Sequence, residues 1–227
     1  MDSTINITLK QNKNMDFLDE KINEYAEQHT TAQSEVLANL ERETHIKILR
    51  PRMLSGHLQG KFLEMIVKMI RPKEVLEIGT YTGYSAICMA NALSADACIH
   101  TIDINAELED FAKSHFQKAD VEHQIEFYIG NALDIIPKLD VVFDLVFIDA
   151  DKVNYKKYFD MVLPKMHKGG FIIADNVLWS GKVLKAAKAK DPETKAIQEF
   201  NDYIHACDKV KNMLLPLRDG LMIIEVL

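Results

Sequence analysis

Four short stretches concentrate side chains able to do chemistry. In Glu77-Ile78-Gly79-Thr80-Tyr81-Thr82-Gly83 two glycines follow a carboxylate, and glycine lets a backbone turn tightly and approach a ligand closely. Asp103 comes 24 residues after Gly79. In a βαβ unit an acidic residue at that interval can accept hydrogen bonds from both hydroxyls of a ribose. Asp149-Ala150-Asp151-Lys152 and Asp175-Asn176 supply carboxylates, an amide and an amine. Brought together, Asp149, Asp175 and Asn176 would offer three oxygen ligands, two of them anionic. That suits a hard divalent cation such as Mg2+, with water or substrate completing the shell. Without a cation, adjacent carboxylates repel and one pKa rises. Taken singly, each pair reads equally as a helix cap.

The first two stretches together point to an adenosine-containing cofactor. The turn reads G-x-x-x-G rather than G-x-G-x-x-G, so the spacing that cradles a pyrophosphate is missing. Glu77, in the mouth of the loop, would also repel a pyrophosphate. A carboxylate sits better near a zwitterionic amino acid, and S-adenosylmethionine (SAM) has such a tail and no phosphate. The competing account is a glycine turn that only closes a strand–helix junction. Asn131-Ala132, after Gly130, can meet an adenine amino group and ring, and Asn131 reads equally as the N-cap of a following helix.

For these residues to meet, the surrounding elements must deliver them to one edge. Phe17, Ile22, Tyr25 and Ala26 are spaced for one helical face, and Val36, Leu37, Leu40 and Ile48 for a second, with Thr30, Thr31 and Ser34 as possible caps. After Pro51 and a polar loop through Gly60, Phe62, Met65, Ile66, Met69 and Ile70 mark another amphipathic helix that stops before Pro72. From residue 74 strands and helices alternate. Strands are expected at 75–78, 98–102, 125–128, 143–148 and 171–174, the last after the turn Lys168-Gly169-Gly170. Helices are expected at 86–93, 106–116, 155–163 and 194–207, with a short one ending near Pro137. Residues 210–216 and 221–226, joined by Arg218-Asp219-Gly220, read as a closing antiparallel pair. The apolar run 143–148 suits a central strand covered on both faces. Such alternation predicts a doubly wound α/β fold around a mostly parallel sheet, whose ligands bind beyond the carboxyl ends of the strands. Glu77–Gly79, Asp103, Asn131, Asp149–Asp151 and Asp175–Asn176 all fall at or just past those ends.

Composition narrows the classes. At 227 residues, with 48% hydrophobic and 27% charged side chains, the chain suits one α/β domain rather than a disordered or disulfide scaffold. The formal charge of −7 repels phosphate backbones and disfavours a nucleic-acid partner. No apolar run approaches the ~20 residues that cross a bilayer, and the alternating pattern of Met1 to Asn12 is not that of a secretory signal peptide. Cys88, Cys98 and Cys207 are odd in number and lack a C-x-x-C, which reads as free thiols in a reducing, cytoplasmic setting. Lys182, Lys185, Lys188, Lys190 and Lys195 form the one local basic cluster, read either as a solvated loop and helix start or as a loop attracting an anionic substrate.

The chain resembles the cation-dependent class I O-methyltransferases, the group that contains the caffeoyl-CoA and catechol O-methyltransferases, and is closest in pattern to bacterial members of the caffeoyl-CoA-like branch. The motifs that carry the resemblance are Glu77-Ile-Gly-Thr-Tyr-Thr-Gly-Tyr-Ser85, Val146-Phe-Ile-Asp-Ala-Asp-Lys152 with Asn154-Tyr155, Asp175-Asn-Val-Leu-Trp179 and Leu217-Arg-Asp-Gly-Leu221. It runs from about Ile48 to the C-terminus.

The resemblance implies a Rossmann-like seven-stranded sheet with an antiparallel C-terminal strand, in a single domain over 1–227: an N-terminal helical addition (1–50) and a SAM-binding catalytic core (51–227). It implies that Glu77, Gly79, Thr80, Ser85, Asp103, Ala132, Asp149 and Asp151 line the SAM pocket, with Ser55 and Tyr158 at its edge. Asp149, Asp175 and Asn176 would hold Mg2+ or another divalent cation such as Mn2+ or Ca2+. Lys152 matches the lysine assigned as general base in the catechol enzymes, and Trp179 stands where an aromatic side chain can flank the acceptor ring. Ser180 occupies a position that is asparagine in some plant members, and the loop 181–192 departs from the plant form. The acceptor implied is therefore a catechol-type small molecule rather than caffeoyl-CoA in particular. No membrane or nucleic-acid partner is implied, and a homodimer is.

Methyl transfer from a sulfonium is an in-line displacement, so the acceptor oxygen must be deprotonated and aligned. A catechol chelating a cation is fixed and acidified by it, and Lys152 can take the proton or stabilise the phenolate. Lys152 as a surface lysine and Trp179 as core filler remain the plainer alternatives. A dehydrogenase lacks the glycine spacing, and a phosphotransferase using Asp149-Ala150-Asp151 would place that motif on an early strand. A non-enzymatic SAM-binding protein would not need the ligands and lysine that are present.

Overall fold

The computed structural model describes residues 20–227. The expected place of Phe17 on the first helix and the pattern of residues 1–12 lie outside the described residues. Two helices come first, α1 (Glu20–Gln28) and α2 (Glu35–Lys47), followed by α3 (Gly56–Ile70). Ser34 caps α2 by accepting a hydrogen bond from the Leu37 N–H. Then come β1 (Glu74–Ile78), α4 (Tyr84–Ala90), β2 (Cys98–Asp103), α5 (Glu109–Lys118), β3 (Ile125–Ile129), α6 (Ala132–Ile135), β4 (Phe143–Ile148), α7 (Tyr155–Val162), β5 (Met166–Asp175), α8 (Pro192–Ala206), β6 (Val210–Leu215) and β7 (Leu221–Val226).

The seven strands form one sheet in the order β3-β2-β1-β4-β5-β7-β6. β1 to β5 pair in parallel, and β7 runs antiparallel between β5 and β6. The order reverses between β1 and β4, which makes the carboxyl ends of those strands the expected crevice. Successive side chains point to opposite faces. Val146 and Ile148 therefore join Leu76, Ile102, Ile172 and Ile224 under α7 and α8, where Phe159, Ile197 and Phe200 are buried. Leu145 and Phe147 join Val75, Ile99 and Ile173 on the other face, under α2 to α5. Both faces are covered, and this is why β4 is apolar almost throughout.

The expected strands and helices all appear, with shifts of local detail. The turn at Lys168-Gly169-Gly170 lies inside β5 rather than before it: the register shifts between the pairs Phe143–Met166 and Leu145–Phe171. α3 starts at Gly56, inside the stretch read as loop, and buries Gln59, Gly60, Leu63 and Val67. Met65 and Met69, expected on its inner face, are 55% and 70% exposed. The cause is Gly60, which sits so close to Tyr84 and Cys88 of α4 that a Cβ there would lie 2.7 Å from both. The helix docks on its smallest residue and turns the methionines outward. Ile22 and Tyr25 of α1 are likewise exposed. The three cysteines are free. Among the described residues no helix is long and apolar enough to cross a membrane.

Candidate active site

One cleft of about 1690 Å3 opens at the carboxyl ends of β1, β2, β4 and β5. Its volume exceeds that of a usual single-ligand pocket, roughly 300–1,000 Å3, so it has room for two molecules. Of the site residues expected from sequence, Ser55, Gly79, Thr80, Ser85, Asp103, Ala132, Asp149, Asp151, Lys152, Tyr158, Asp175, Asn176, Trp179 and Ser180 all line it. Glu77 does not; it is fully buried behind the β1–α4 loop.

That loop is tied to its neighbours by the backbone. Gly79 N–H donates to the Ile102 carbonyl at 2.8 Å, and Asp149 N–H to the Ile78 carbonyl at 2.8 Å. Gly79 has φ +104°, and a Cβ there would lie 1.9 Å from the Asp149 carbonyl oxygen. No other residue type fits. At the tip of β2, Asp103 accepts from the backbone N–H of Tyr81 at 2.6 Å and of Asn105 at 2.8 Å. Its carboxylate is thus fixed in place, with lone pairs to spare. Asn131 caps α6, accepting from the Leu133 N–H at 2.9 Å, and it lines the cleft as well. Glu77 accepts from the Thr101 hydroxyl through Oε2, while its buried Oε1 has no hydrogen-bond partner. Burial, reinforced by the charges of Asp149 and Asp103, pushes its pKa up to about 8.

Beyond β4 and β5 the polar groups crowd together. Lys152, only 6% exposed, reaches Asp149 Oδ1 at 3.1 Å and donates to the Tyr155 hydroxyl at 2.5 Å. The Tyr155 hydroxyl in turn donates a hydrogen bond to the Asp175 carbonyl at 2.9 Å. Asp175 accepts from Gln59 Nε2 at 2.7 Å and from the Asn176 N–H at 2.6 Å. Burial, and then the negative charge of Asp149, push Asp175 up to about 7. Burial beside the same two aspartates holds Tyr155 well above the ordinary tyrosine range. On α7, Tyr158 donates to Asp151 Oδ1 at 2.5 Å and Asn154 to Asp151 Oδ2 at 2.6 Å.

Past β5 the chain coils through left-handed backbone at Asn176, Trp179, Ser180 and Gly181, a conformation that costs non-glycine residues energy. The turn after β6 braces it: Val177 and Leu178 N–H donate to the carbonyls of Gly220 and Asp219, and Ser180 N–H to Asp219 Oδ1 at 2.5 Å. Gly220 is required there, because a Cβ would lie 2.5 Å from Leu178 Cγ. This bracing explains why Arg218-Asp219-Gly220 belongs with the site motifs. The Lys152 and Lys182 amines lie 5.8 and 5.4 Å from the centre of a Trp179 ring. Lys182 lines the cleft, whereas Lys185, Lys188, Lys190 and Lys195 do not.

Several participants escaped the sequence reading. Gln59 gives only a faint signal, a polar residue on the buried face of α3. Tyr155 sits in a quoted motif but reads as core. Arg50, Arg52 and Arg218 line the cleft entrance, and Arg218 donates to the Leu54 carbonyl at 3.2 Å through both terminal nitrogens.

Comparison with known proteins shows the family and the fold. The O-methyltransferase family profile covers residues 27–226. A caffeoyl-CoA O-methyltransferase of Mesembryanthemum crystallinum is 40% identical over 179 residues, 72% of this chain and 68% of that protein. Caffeoyl-CoA O-methyltransferase 1 of Zea mays is 38% identical over 176 residues, 72% and 67% of the two chains. Among solved structures, an O-methyltransferase from Bacillus cereus in complex with SAH superposes with a TM-score of 0.85 at 29% identity, covering 91% of this chain and 97% of its own. The O-methyltransferase TomG from Streptomyces achromogenes, in complex with SAM, gives 0.84 at 27% identity, covering 91% and 96%. The sheet order, the cleft at its switch point and these relatives agree: the chain belongs to the O-methyltransferase family, as a SAM-dependent O-methyltransferase of the caffeoyl-CoA type.

Proposed function

We propose that the protein methylates one hydroxyl of a catechol-type small molecule, with a divalent cation, Mg2+ in the first instance, held by Asp149, Asp175 and Asn176. The observation that carries the reading is the crowding of two carboxylates, an amide and a buried lysine in the cleft that also receives the Gly79 loop and Asp103. Asp175 at about 7 beside Asp149 is a pair whose repulsion a cation would relieve, and the all-oxygen donor set fits a hard ion. The side-chain-free approach at Gly79 fits the cofactor at the other end. Bound there, SAM would supply an electrophilic methyl group, and the cation would supply Lewis acidity that lowers a hydroxyl's pKa.

The chain's own residues do the rest. Asp103, fixed by two backbone N–H groups, offers its remaining lone pairs to ribose hydroxyls. Ser55, Thr80, Ser85, Ala132, Asp151 and Tyr158 would complete the cofactor's walls. Lys152 is held by Tyr155 at the amine that would take the acceptor's proton or stabilise its anion. Trp179 offers an aromatic face to the acceptor ring, with Ser180 beside it. Lys182 adds positive charge, favouring acceptors that carry a carboxylate or phosphate. We further infer that residues 1–227 work as one domain, in the cytoplasm, as a homodimer. Ile22 and Tyr25 of α1 and Met65 and Met69 of α3, all exposed on the monomer, would supply apolar contact for the second copy.

Methyl transfer to a catechol should be lost on verified cation removal and restored by Mg2+. Asp149→Ala and Asp175→Ala should abolish transfer while leaving SAM binding largely intact. Full turnover of the cation-free enzyme would reject the cation, and equal rates on a catechol, its monophenol analogue and its monomethyl ether would reject chelation as the means of selecting the acceptor.

A further inference from the structure

At the opposite, N-terminal edge of the sheet a second group of metal-ligating side chains converges. Glu74 opens β1 and Cys98 opens β2, and the two are paired in register. His100 lies two residues further along β2 and so projects from the same face. A Glu74 carboxylate oxygen, the Cys98 sulfur and a His100 ring nitrogen all lie within 4.8 Å of one another. None of the three lines the cleft, and about 16 Å of strand separates Cys98 from Asp103 at the other end of β2.

The geometry is that of a hydrogen-bonded group that an ion can enter by displacing a proton. Oε2 of Glu74 lies 3.0 Å from His100 Nε2, close to the separation of two ligands on a tetrahedral ion with bonds of about 2 Å. The other ring nitrogen, Nδ1, lies 3.2 Å from the Tyr128 hydroxyl, which can donate or accept. With no ion, Nε2–H donates to Glu74 and Tyr128 donates to Nδ1. With an ion on Nε2, the proton sits on Nδ1 and is donated to Tyr128. A hydrogen-bond partner on the far ring nitrogen orients metal-bound histidines. The ring is 8% exposed and meets Phe143 edge-on at 5.8 Å, so it is held in one place. Water can fill a fourth position. Asp120, Glu122 and His123 form the other such group among the described residues, but all three are exposed and none offers sulfur.

We propose that Glu74, Cys98 and His100 form a Zn2+ site that clips β1 to β2 at the edge of the sheet away from the active site. Thiolate and imidazole select zinc over magnesium, so the two ends of one sheet would hold different ions. On binding, the Cys98 thiol loses its proton to solvent, sulfur bonds to the metal, and no electron changes hands.

The full chain, stripped of metal and then saturated with Mg2+, is titrated with Co2+ as a spectroscopic probe. Thiolate-to-cobalt charge-transfer absorption should appear, saturate at one equivalent and be displaced by Zn2+. Cys98→Ser should abolish it, Cys207→Ser should leave it, and Tyr128→Phe should weaken Zn2+ binding about ten- to a hundredfold. X-ray absorption of the zinc-loaded wild-type protein should give one sulfur among nitrogen and oxygen ligands, a reading that requires no variant to fold. A wild-type protein without the charge-transfer band, a zinc shell without sulfur, or a band that survives Cys98→Ser would each overturn the proposal.

Discussion

At the scale of single residues, the cleft is built from carboxylates whose surroundings set their tasks. Asp103 is stripped of mobility by the Tyr81 and Asn105 N–H groups. Asp103→Ala should weaken SAM by about ten- to a hundredfold, since a hydrogen bond to a charged group is worth roughly 1.5–3 kcal/mol. Calorimetry showing unchanged affinity in a folded variant would remove Asp103 from the cofactor site. Glu77 is the opposite case, raised by burial from 4.5 to about 8. The unfolded chain releases this proton near 4.5 and the folded chain keeps it to about 8. This group's contribution to stability is therefore fully present below 4.5 and is lost as pH rises through 8. Cofactor-free Glu77→Gln should show a flatter dependence of stability on pH across that window in urea unfolding; parallel curves would mean that Glu77 ionises normally. Charge reversal at Lys182 should raise KM for carboxylate-bearing catechols more than for neutral ones. The same change at Lys185, outside the cleft lining, should do little. The acidic groups were legible from sequence because polar residues at the ends of apolar strands have few structural reasons to be there. Gln59 and Tyr155 were not, because no spacing rule brings residue 59 to residue 175, and a tyrosine on an amphipathic helix reads as core.

Among the elements, the loops matter more than the strands that carry them. Gly79→Ala would drive a methyl group into the Asp149 carbonyl at a backbone angle alanine avoids. We expect a loss of more than about 2 kcal/mol and a drop in Tm of at least about 5 °C, measured by calorimetry; a variant as stable as wild type would show that the two loops can part. The N-terminal helices are fastened to the same loop. Tyr81 donates to the carbonyls of Leu49 and Arg50, Tyr84 to Gln33, and Thr44 to Thr82. Periodicity located nearly every helix and strand, because covering both sheet faces leaves a continuous apolar run in β4 and apolar stripes on the amphipathic helices. It placed α3 and three of its inner residues, since Phe62, Ile66 and Ile70 pack on the core, but it misjudged Met65 and Met69, which face outward where the helix docks through Gly60. Hydrophobic spacing cannot register close packing on an absent side chain.

For the molecule as a whole, the outward-facing side chains of α1 and α3 set the expectation. Tyr25→Glu combined with Met69→Glu should convert the proposed dimer into a folded monomer, as read by light scattering. A wild-type protein that is already monomeric, or a variant that stays dimeric, would relocate or dissolve the interface.

The contact between Gly79 and Asp149 also has an evolutionary consequence. Two catalytic neighbourhoods meet there with no side chain between them, so neither can drift in sequence or position without the other. The freedom to acquire new acceptors is left to the rim, residues 47–54 and the segment that brings Trp179, Ser180 and Lys182 to the cleft, which carry none of the shared wall. Lineages that change their acceptor should have rewritten those two segments first and kept the glycine.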